Sequence, residues 1–395
     1  MTTKDNENKK TVYFDNSATT SLSQPAREAM TRAMDFYGNP SSLHTVGYEA
    51  HKLLENARGQ VAAAFGAKNA KREQIIFTSS GTEASALAIF GSIMAKSRRV
   101  GNRILTTDCE HPSVEMAMKR LETQGFEICR IPTREGVLDL DFLETKLDSP
   151  IQLATFMMVN NETGARFEVE KAFSMVKERY PDAVTHCDAV QGFLKERFTP
   201  TTLGADLITV SAHKIHGPKG CGALYVSSDI LKARKLTAYL VGGGQESGFR
   251  SGTENMIGIC GFGAAAAEGA SSLDYDVARM RELRAYAIEL IGNDVKVNEP
   301  KGGIAPHILS ITLPNIKSET MLHYLSAHGM CVSSGSACSS HAKTPSASLT
   351  AFGLDPKEAD STLRISFCKD NTREEVEAFA EKLKSGISTL VRIKR

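Results

Sequence analysis

Three apolar runs of the sequence end in polar and small residues whose types could do chemistry. After the first run, Ser80, Gly81 and Thr82 stand immediately before a helical pattern at residues 83–95. Gly81 permits a tight turn, and the free N–H groups and the dipole at the start of a helix favour an anion such as a phosphate. Serine and threonine are also common helix N-caps. This pattern by itself therefore leaves both a phosphate site and a simple cap open.

The other two runs end in a carboxylate and in an amine. Asp188 follows the run at residues 183–187, where it could cap the next segment or pair with the cationic ring nitrogen of a cofactor. Lys214 follows the run at residues 207–210 and precedes a Gly-Pro pair. A strand there would bring this lysine to the sheet edge at which open α/β sheets bind ligands, and desolvation would favour its neutral, nucleophilic amine. The alternative is an ordinary surface lysine, as Lys219 nearby illustrates.

Cys338 differs from the other cysteines in its surroundings. It stands among small polar residues in the stretch 332–340, whereas Cys187 and Cys260 stand among apolar residues. A thiolate that must reach a reaction partner gains solvent access in such a stretch, and a structural thiol gains nothing. The alternative is a Ser/Gly loop without a chemical role. The eight cysteines show no CxxC pair and no zinc-ligand spacing, so we predict no metal site.

The elements that must position these residues follow from the alternation of short apolar runs with helical patterns. Such alternation predicts an α/β fold with βαβ units and a largely parallel sheet that helices cover on both faces. The strands are expected at residues 74–78, 103–106, 127–131, 153–159, 183–187, 207–210 and 222–226. The sheet would then gather the polar strand ends at one edge.

The last third of the chain has a different pattern. A long helix is expected near residues 264–295, followed by strands at 307–313 and 362–367 and by helices at 317–328 and 372–391. We therefore predict two domains. The large one spans residues 15–263. The smaller α+β domain is formed by residues 1–14 and 264–395, and it carries Cys338.

The overall composition excludes some function classes. The 395 residues are 41% hydrophobic and 24% charged, which allows a substantial core. The 47 Lys and Arg residues against 46 Asp and Glu residues give a net charge of +1, which provides no electrostatic reason to expect nucleic acid binding. The first ten residues are polar, and no apolar run reaches the length of a membrane span. We expect a cytoplasmic protein that binds neither membrane nor nucleic acid.

Taken together, the motifs resemble those of the cysteine desulfurases. The run Ser-Ala-His-Lys-Ile-His-Gly-Pro-Lys-Gly at residues 211–220 resembles the cofactor-lysine motif of the NifS/IscS type. These enzymes are related to class V aminotransferases and are fold-type I enzymes that use pyridoxal 5'-phosphate (PLP). Further matching motifs lie at residues 13–20, 38–42, 110–112, 160–162, 242–245, 250–255 and 364–366. The resemblance covers nearly the whole chain and implies PLP as the cofactor.

The resemblance also implies which residues hold PLP. Lys214 would carry the cofactor, Asp188 would keep the pyridinium nitrogen protonated, Gln191 would bond the 3-hydroxyl group, and His111 would stack on the ring and move protons. The phosphate would be bound by Gly81, Thr82, Ser211 and His213, and by Thr253 from the second subunit of a homodimer.

The same resemblance implies the substrate site and the reaction. Asn161 and Arg364 would bind the substrate carboxylate, to which the planar guanidinium is suited. L-Cysteine would become L-alanine while Cys338 accepts the sulfur as a persulfide. The acceptor of that sulfur would be an iron–sulfur scaffold or a tRNA-thiolating enzyme. The long stretch from Cys338 to Arg364 resembles the subgroup with a long catalytic loop.

Several alternatives and departures stay open at this point. Selenocysteine lyase shares these motifs, and another class V aminotransferase would need the same Lys–Asp pair. A non-catalytic protein that keeps PLP for stability is the alternative from a different class. Ser247 stands where many relatives carry arginine, and Phe367-Cys368-Lys369 replaces the usual Ser-Leu-Gly. These departures bear on substrate preference and on partner contacts.

Overall fold

The computed structural model of the protein describes residues 11–67, 69–95, 101–334 and 346–390. Cys338 therefore lies outside the described residues. The strands are β1 (Val12–Tyr13), β2 (Ile75–Thr78), β3 (Arg103–Thr107), β4 (Glu127–Ile131), β5 (Ile151–Met157), β6 (Ala165–Arg166), β7 (Val184–Asp188), β8 (Leu207–Ser211), β9 (Gly222–Val226), β10 (Lys296–Val297), β11 (Gly303–Ile304), β12 (Ile308–Thr312), β13 (Met330–Cys331), β14 (Ser333–Ser334) and β15 (Thr362–Ser366).

The α-helices lie between these strands. They are α1 (Gln24–Ala33), α2 (Thr45–Ala64), α3 (Gly81–Met94), α4 (Pro112–Glu122), α5 (Leu140–Thr145), α6 (Val169–Arg179), α7 (Pro200–Leu203), α8 (Ser228–Lys232), α9 (Met256–Ile291), α10 (Ser318–Ala327), α11 (Ala347–Phe352), α12 (Pro356–Asp360) and α13 (Arg373–Thr389).

A seven-stranded sheet with the order β2-β9-β8-β7-β5-β3-β4 forms the centre of the fold. Its strands coincide with the seven predicted runs, and all its pairings are parallel except the two that involve β9. Along β9 the side chains alternate between two hydrophobic clusters, with Ala223 and Tyr225 in one and Leu224 and Val226 in the other. Both faces of the sheet are therefore buried, which confirms the predicted mostly parallel sheet between helices.

A smaller antiparallel sheet with the order β10-β12-β15-β14 follows in the last third of the chain. Its helices α10 and α13 and its strands β12 and β15 confirm the predicted α+β pattern. N-terminal Phe14 packs edge-on against Phe367 and Phe379 in the core of this part. Strand β1 pairs with β13, so the N-terminal strand also joins this part of the fold. The exact domain limits at residues 14 and 263 stay a prediction.

Helix α9 connects the two cores as one continuous element. Ile259 and Phe262 belong to the core beside the large sheet, whereas Leu283 and Ala287 belong to the core of the smaller part. The expected start at residue 264 was wrong, since the helix begins eight residues earlier. Glycines in that first stretch lower helix propensity, but they permit close packing. A Cβ atom on Gly263 would lie 2.7 Å from Cα of Ala57 in α2.

The expectation that no apolar run is long enough for a membrane span also needs correction. By length and composition alone, the stretch Met256–Asp294 could cross a membrane. This stretch packs against α1, α2 and α13 and carries the buried charged residues Asp276 and Arg284. These contacts are typical of a core helix, so the length of the helix is weak evidence for a membrane span.

Candidate active site

A cavity of about 260 Å³ lies at the carboxyl edge of the large sheet. It opens where β3, β5, β7 and β8 end and where α3 begins. Ten of the predicted site residues line it, namely Gly81, Thr82, His111, Asn161, Asp188, Gln191, Ser211, His213, Lys214 and Arg364. The sheet edge is the position at which ligands bind in open α/β folds.

Lys214 follows β8 in a short 3-10 turn, Ala212–Lys214. Its Nζ donates to the backbone carbonyl oxygens of Ser17 at 2.5 Å and Ala18 at 2.8 Å. A second lysine, Lys195, is buried behind it and donates from Nζ to the carbonyl oxygen of Lys214 at 2.9 Å. Burial lowers the pKa of Lys195 to about 7, and the charge of Lys214 acts in the same direction. The amine of Lys214 is thus held at the cavity wall by two acceptors.

Asp188 is the last residue of β7 and is buried. Its Oδ1 accepts the backbone N–H of Val190 at 3.0 Å. Burial raises the pKa of this carboxyl group, while His111 and Lys214 act in the opposite direction. A buried carboxylate is stable only beside a positive charge or several hydrogen-bond donors, so Asp188 suits a cationic group in the cavity.

His111 caps the N-terminus of α4 with its side chain. Its Nδ1 accepts the backbone N–H of Ser113 at 3.1 Å and lies 2.8 Å from the Ser113 hydroxyl. Because Nδ1 is an acceptor, the proton of the neutral ring belongs on Nε2. Burial lowers the pKa of His111, Asp188 opposes this shift, and Lys214 adds to it. His111 therefore presents a neutral ring with a fixed tautomer beside the cavity.

The residues at the start of α3 form a cradle of the kind that an anion needs. Ser80 caps this 14-residue helix, and its Oγ accepts the N–H of Glu83 at 3.2 Å. A Cβ atom on Gly81 would lie 3.0 Å from Val190 and 3.4 Å from Ser211, so glycine keeps the cradle open. The Ser211 hydroxyl is buried and has no partner among the described residues. A phosphate would supply that partner, so these residues fit PLP.

Arg364 comes from the smaller sheet and is 4% exposed. Its Nη1 donates to the carbonyl oxygen of Asn161 at 2.8 Å, and its Nη2 donates to Oδ1 of Asp15 at 2.7 Å. Its Nε is buried without a partner among the described residues. The guanidinium therefore retains donor capacity for a carboxylate.

Sequence reasoning missed two residues that support this site. Asp15 pairs with Arg364, and the Ser17 carbonyl oxygen accepts from both Lys214 and Gln191. Both belong to the motif at residues 13–20, whose match with the family was the signal that could have identified them. A backbone carbonyl has no residue type, so its role could not be assigned from sequence.

Of the predicted site residues that the structure describes, Thr253 does not line the cavity. Thr253 is exposed and lines a separate depression with Glu246 and Arg250. Its predicted role, which is to complete the phosphate site of a second subunit, stays a prediction. Cys338 lies outside the described residues, so its predicted role also stays open.

Comparison with known proteins adds an independent line of evidence. The protein-family model described as "Aminotransferase class-V" matches residues 12–379 of the chain. The chain belongs to the class V aminotransferase family. It is 38% identical over 375 residues to a cysteine desulfurase of Nostoc. The aligned region covers 94% of this chain and 91% of the relative. It is 35% identical over 386 residues to cysteine desulfurase IscS 1 of Archaeoglobus fulgidus, which covers 96% and 97% of the two chains.

Solved structures of this family have the same fold. A NifS-like protein is 34% identical with a TM-score of 0.88, and the match covers 96% of this chain and 100% of that one. A structure described as SspA in complex with cysteine is 30% identical with a TM-score of 0.77, covering 92% and 100%. These likenesses confirm the predicted fold-type I architecture and the NifS/IscS-type resemblance. The protein is thus a PLP-dependent enzyme of the cysteine desulfurase type.

Proposed function

We propose that this enzyme removes the sulfur of L-cysteine, releases L-alanine and keeps the sulfur as a persulfide on Cys338. The observation that carries the proposal is the common cavity of Lys214, Asp188 and Arg364. An amine, a buried carboxylate and a guanidinium are the groups needed to bind PLP and an amino acid together. The cysteine desulfurases among the relatives support the choice of substrate.

The residues at the cavity wall fit PLP at each of its polar groups. When it is bound, PLP withdraws electrons from the α-carbon of an attached amino acid. Lys214 would hold the aldehyde carbon, and Asp188 would keep the ring nitrogen protonated. Gln191 would donate to the ring 3-oxygen, and Gly81, Thr82, Ser211 and His213 would bind the phosphate. The Ser211 hydroxyl, which has no partner within the described part of the chain, supports the phosphate assignment, and the buried Asp188 carboxyl supports the ring-nitrogen assignment.

Proton transfer would depend on Lys214 and His111. The Lys214 amine would be the base that removes the α-proton of the bound substrate. The carbonyl oxygens of Ser17 and Ala18, at 2.5 and 2.8 Å from its Nζ, would stabilise the resulting ammonium group. The neutral His111 ring would carry a proton on Nε2 and donate it from there.

Arg364 would orient the substrate by its carboxylate. Asp15 and the carbonyl oxygen of Asn161 fix the guanidinium from one side, at 2.7 and 2.8 Å. A fixed guanidinium loses little side-chain entropy when it binds a carboxylate in a two-point contact. The substrate's α-carbon would then lie near Lys214.

The sulfur step needs a thiolate, and none of the described residues that line the cavity is a cysteine. The Cys338 thiolate would attack the substrate sulfur, so that an S–S bond forms and the substrate's C–S bond breaks. The carbon keeps the electron pair of the broken bond and takes up a proton. The net change is L-cysteine plus the Cys338 thiol to L-alanine plus the Cys338 persulfide. No further oxidant or reductant is required.

The test is alanine and sulfide production from L-cysteine by the PLP-loaded enzyme, with dithiothreitol present. The Cys338→Ala variant should bind PLP normally and lose both products. Turnover that survives in this variant would contradict the sulfur-accepting role of Cys338. A normally loaded enzyme that makes no alanine would contradict cysteine as the substrate, and selenocysteine assayed in parallel would then identify a lyase.

We also infer that the enzyme is a homodimer in the cytoplasm. Tyr37, Leu43 and Val241 are large apolar residues with exposures of 86%, 103% and 79%. A second copy that covered these side chains would remove apolar surface from water, which favours association. In the dimer, Thr253 would reach the phosphate site of the other subunit. Light scattering should give twice the chain mass, and Thr253→Ala should weaken PLP retention. A monomer that retains PLP equally well would contradict the inference.

The sulfur acceptor is proposed to be a protein, either an iron–sulfur scaffold or a tRNA-thiolating enzyme. The long stretch from Cys338 to Arg364 supports a protein acceptor, because the Cys338 thiol must pass from this enzyme's active site to that of the acceptor. Enzyme loaded with ³⁵S-cysteine should transfer label to one of these acceptors faster than to dithiothreitol. Equal rates with both proteins and with free thiol would contradict a specific protein acceptor.

A further inference from the structure

Gln191 lies between two groups that decide how its side-chain amide is oriented. Its Nε2 is 2.9 Å from the carbonyl oxygen of Ser17, which can only accept a hydrogen bond. The NH₂ end of the amide must therefore face Ser17. Its oxygen Oε1 then faces Nε2 of His307, at 3.2 Å.

His307 must donate to that oxygen, because an amide oxygen can only accept. His307 stands just before β12 and has no exposed surface. Its Nδ1 is buried without a partner among the described residues. Burial moves the pKa of His307 well below its usual value, and the charges of Lys195, Arg364 and Lys214 act in the same direction. The ring is therefore neutral, with its one proton on Nε2.

This orientation has a consequence for the cavity, which Gln191 lines. One N–H of the amide bonds to Ser17, and because Gln191 lines the cavity, its second N–H can serve an acceptor there. A flipped amide would place its oxygen against the carbonyl oxygen of Ser17, and both atoms are acceptors. It would also turn an oxygen toward any acceptor bound in the cavity, which is repulsive.

We propose that His307 is a positioning residue for PLP. Its Nε2–H holds the Gln191 amide in the orientation that presents an N–H to the ring 3-oxygen. The inference rests on the role proposed above for Gln191. It assigns a part in cofactor binding to a residue that directly precedes strand β12 of the smaller sheet and that is separated from Gln191 by 116 positions in the sequence.

The experiment compares two replacements of His307 that differ in one donor. In His307→Gln, the amide nitrogen is as many bonds from the backbone as Nε2 of histidine, so a donor is kept. In His307→Met, the chain length is similar and the donor is lost. We expect His307→Met to weaken PLP affinity about fivefold to tenfold, as for one lost hydrogen bond, and to shift the visible band of the bound cofactor. We expect His307→Gln to restore both.

A double-mutant cycle with Gln191→Ala separates positioning from a merely structural effect. In the Gln191→Ala background, His307→Met should cause no further loss of affinity and no further band shift. An equal loss in both backgrounds, or unchanged affinity and spectrum in His307→Met alone, would overturn the inference.

The same cycle distinguishes this inference from the proposed function. Normal PLP affinity and spectrum in Gln191→Ala alone would show that the role proposed for Gln191 is wrong, and the inference would fail with it. A defect in Gln191→Ala without one in His307→Met would overturn only the part of His307. If His307→Met does not fold, His307→Leu replaces it with the same expected results.

Discussion

At the scale of single residues, burial determines the charge state of the groups around the cavity. Glu110 stands directly before His111 and is buried. Its Oε1 accepts from the Thr107 hydroxyl at 2.7 Å and from the backbone N–H of Met157 at 2.9 Å. Its Oε2 has no partner among the described residues. Burial raises the pKa of Glu110 from 4.5 to about 8, so the group is largely protonated at neutral pH.

This raised pKa predicts a pH dependence of stability. Between pH 4.5 and about 8 the folded protein keeps the Glu110 proton, whereas the unfolded chain loses it. The contribution of Glu110 is therefore fully present below the unfolded pKa and is lost as the pH rises through this window, by up to about 1.4 kcal/mol per pH unit. Glu110→Gln should flatten the slope of the unfolding free energy in urea titrations from pH 5 to 8. A slope equal to that of the wild type would contradict the prediction.

At the scale of elements, the packing of α9 against α2 depends on glycine. A Cβ atom on Gly263 would lie 2.5 Å from Oε1 of Gln60 and 2.7 Å from Cα of Ala57. Real Cβ atoms do not approach a backbone atom so closely, so the two helices would have to move apart. The early part of α9 can therefore lie this close to α2 because residue 263 has no side chain.

Two matched glycine replacements test this packing. Gly263→Ala should lower the free energy of unfolding by about 1 to 3 kcal/mol, since overpacking shifts the helices. Gly59→Ala should raise it by about 0.5 to 1 kcal/mol, because Gly59 is exposed on α2 and a Cβ atom added there would have no other atom within 4 Å. Urea unfolding measures both. Equal effects of the two replacements would show that α9 does not need the close approach.

At the scale of the whole molecule, a buried ion pair fixes the segment that carries Thr253. Arg58 of α2 donates from Nη1 and Nη2 to the two carboxylate oxygens of Glu246, at 2.7 and 2.8 Å. Glu246 also accepts the backbone N–H of Phe77 at 2.8 Å. The side chains are 4% and 2% exposed, and the two residues are 188 positions apart. The pair therefore links α2, β2 and the segment before α9.

Removing one charge of this pair should lower the free energy of unfolding. Glu246→Gln leaves the buried Arg58 guanidinium with only the partly exposed Glu55 carboxylate, 3.1 Å from its Nε, so the unfolding free energy should fall by about 3 kcal/mol. Glu49→Gln is the matched control, because Glu49 pairs with Lys52 on the surface and its loss should not be measurable. Urea unfolding of both variants decides between these expectations. A loss in Glu246→Gln no larger than in the control would contradict them.

The sequence by itself determined the strands of the large sheet and the sheet edge at which the reactive side chains lie. The seven apolar runs became the seven strands of the large sheet, Asp188 is the last residue of β7, and Lys214 follows β8. These results depend on local periodicity and on the general rule for strand ends, which the sequence carries directly. The start of α9 was missed, since the glycines that weaken its helix signal are explained only by close tertiary contacts, of Gly261 with Met30 in α1 and of Gly263 with Ala57 in α2.

Only the tertiary structure decided which distant groups support the site. Arg364 meets Asp15 across 349 positions, Lys214 meets the carbonyl oxygen of Ser17 across 197, and Gln191 meets His307 across 116. Such contacts depend on how the N-terminal segment and the smaller sheet pack against the edge of the large sheet. A hydrogen bond to a backbone carbonyl or an unpartnered buried atom leaves no pattern in the order of residues. The partners of each predicted residue could therefore be named only from the packed fold.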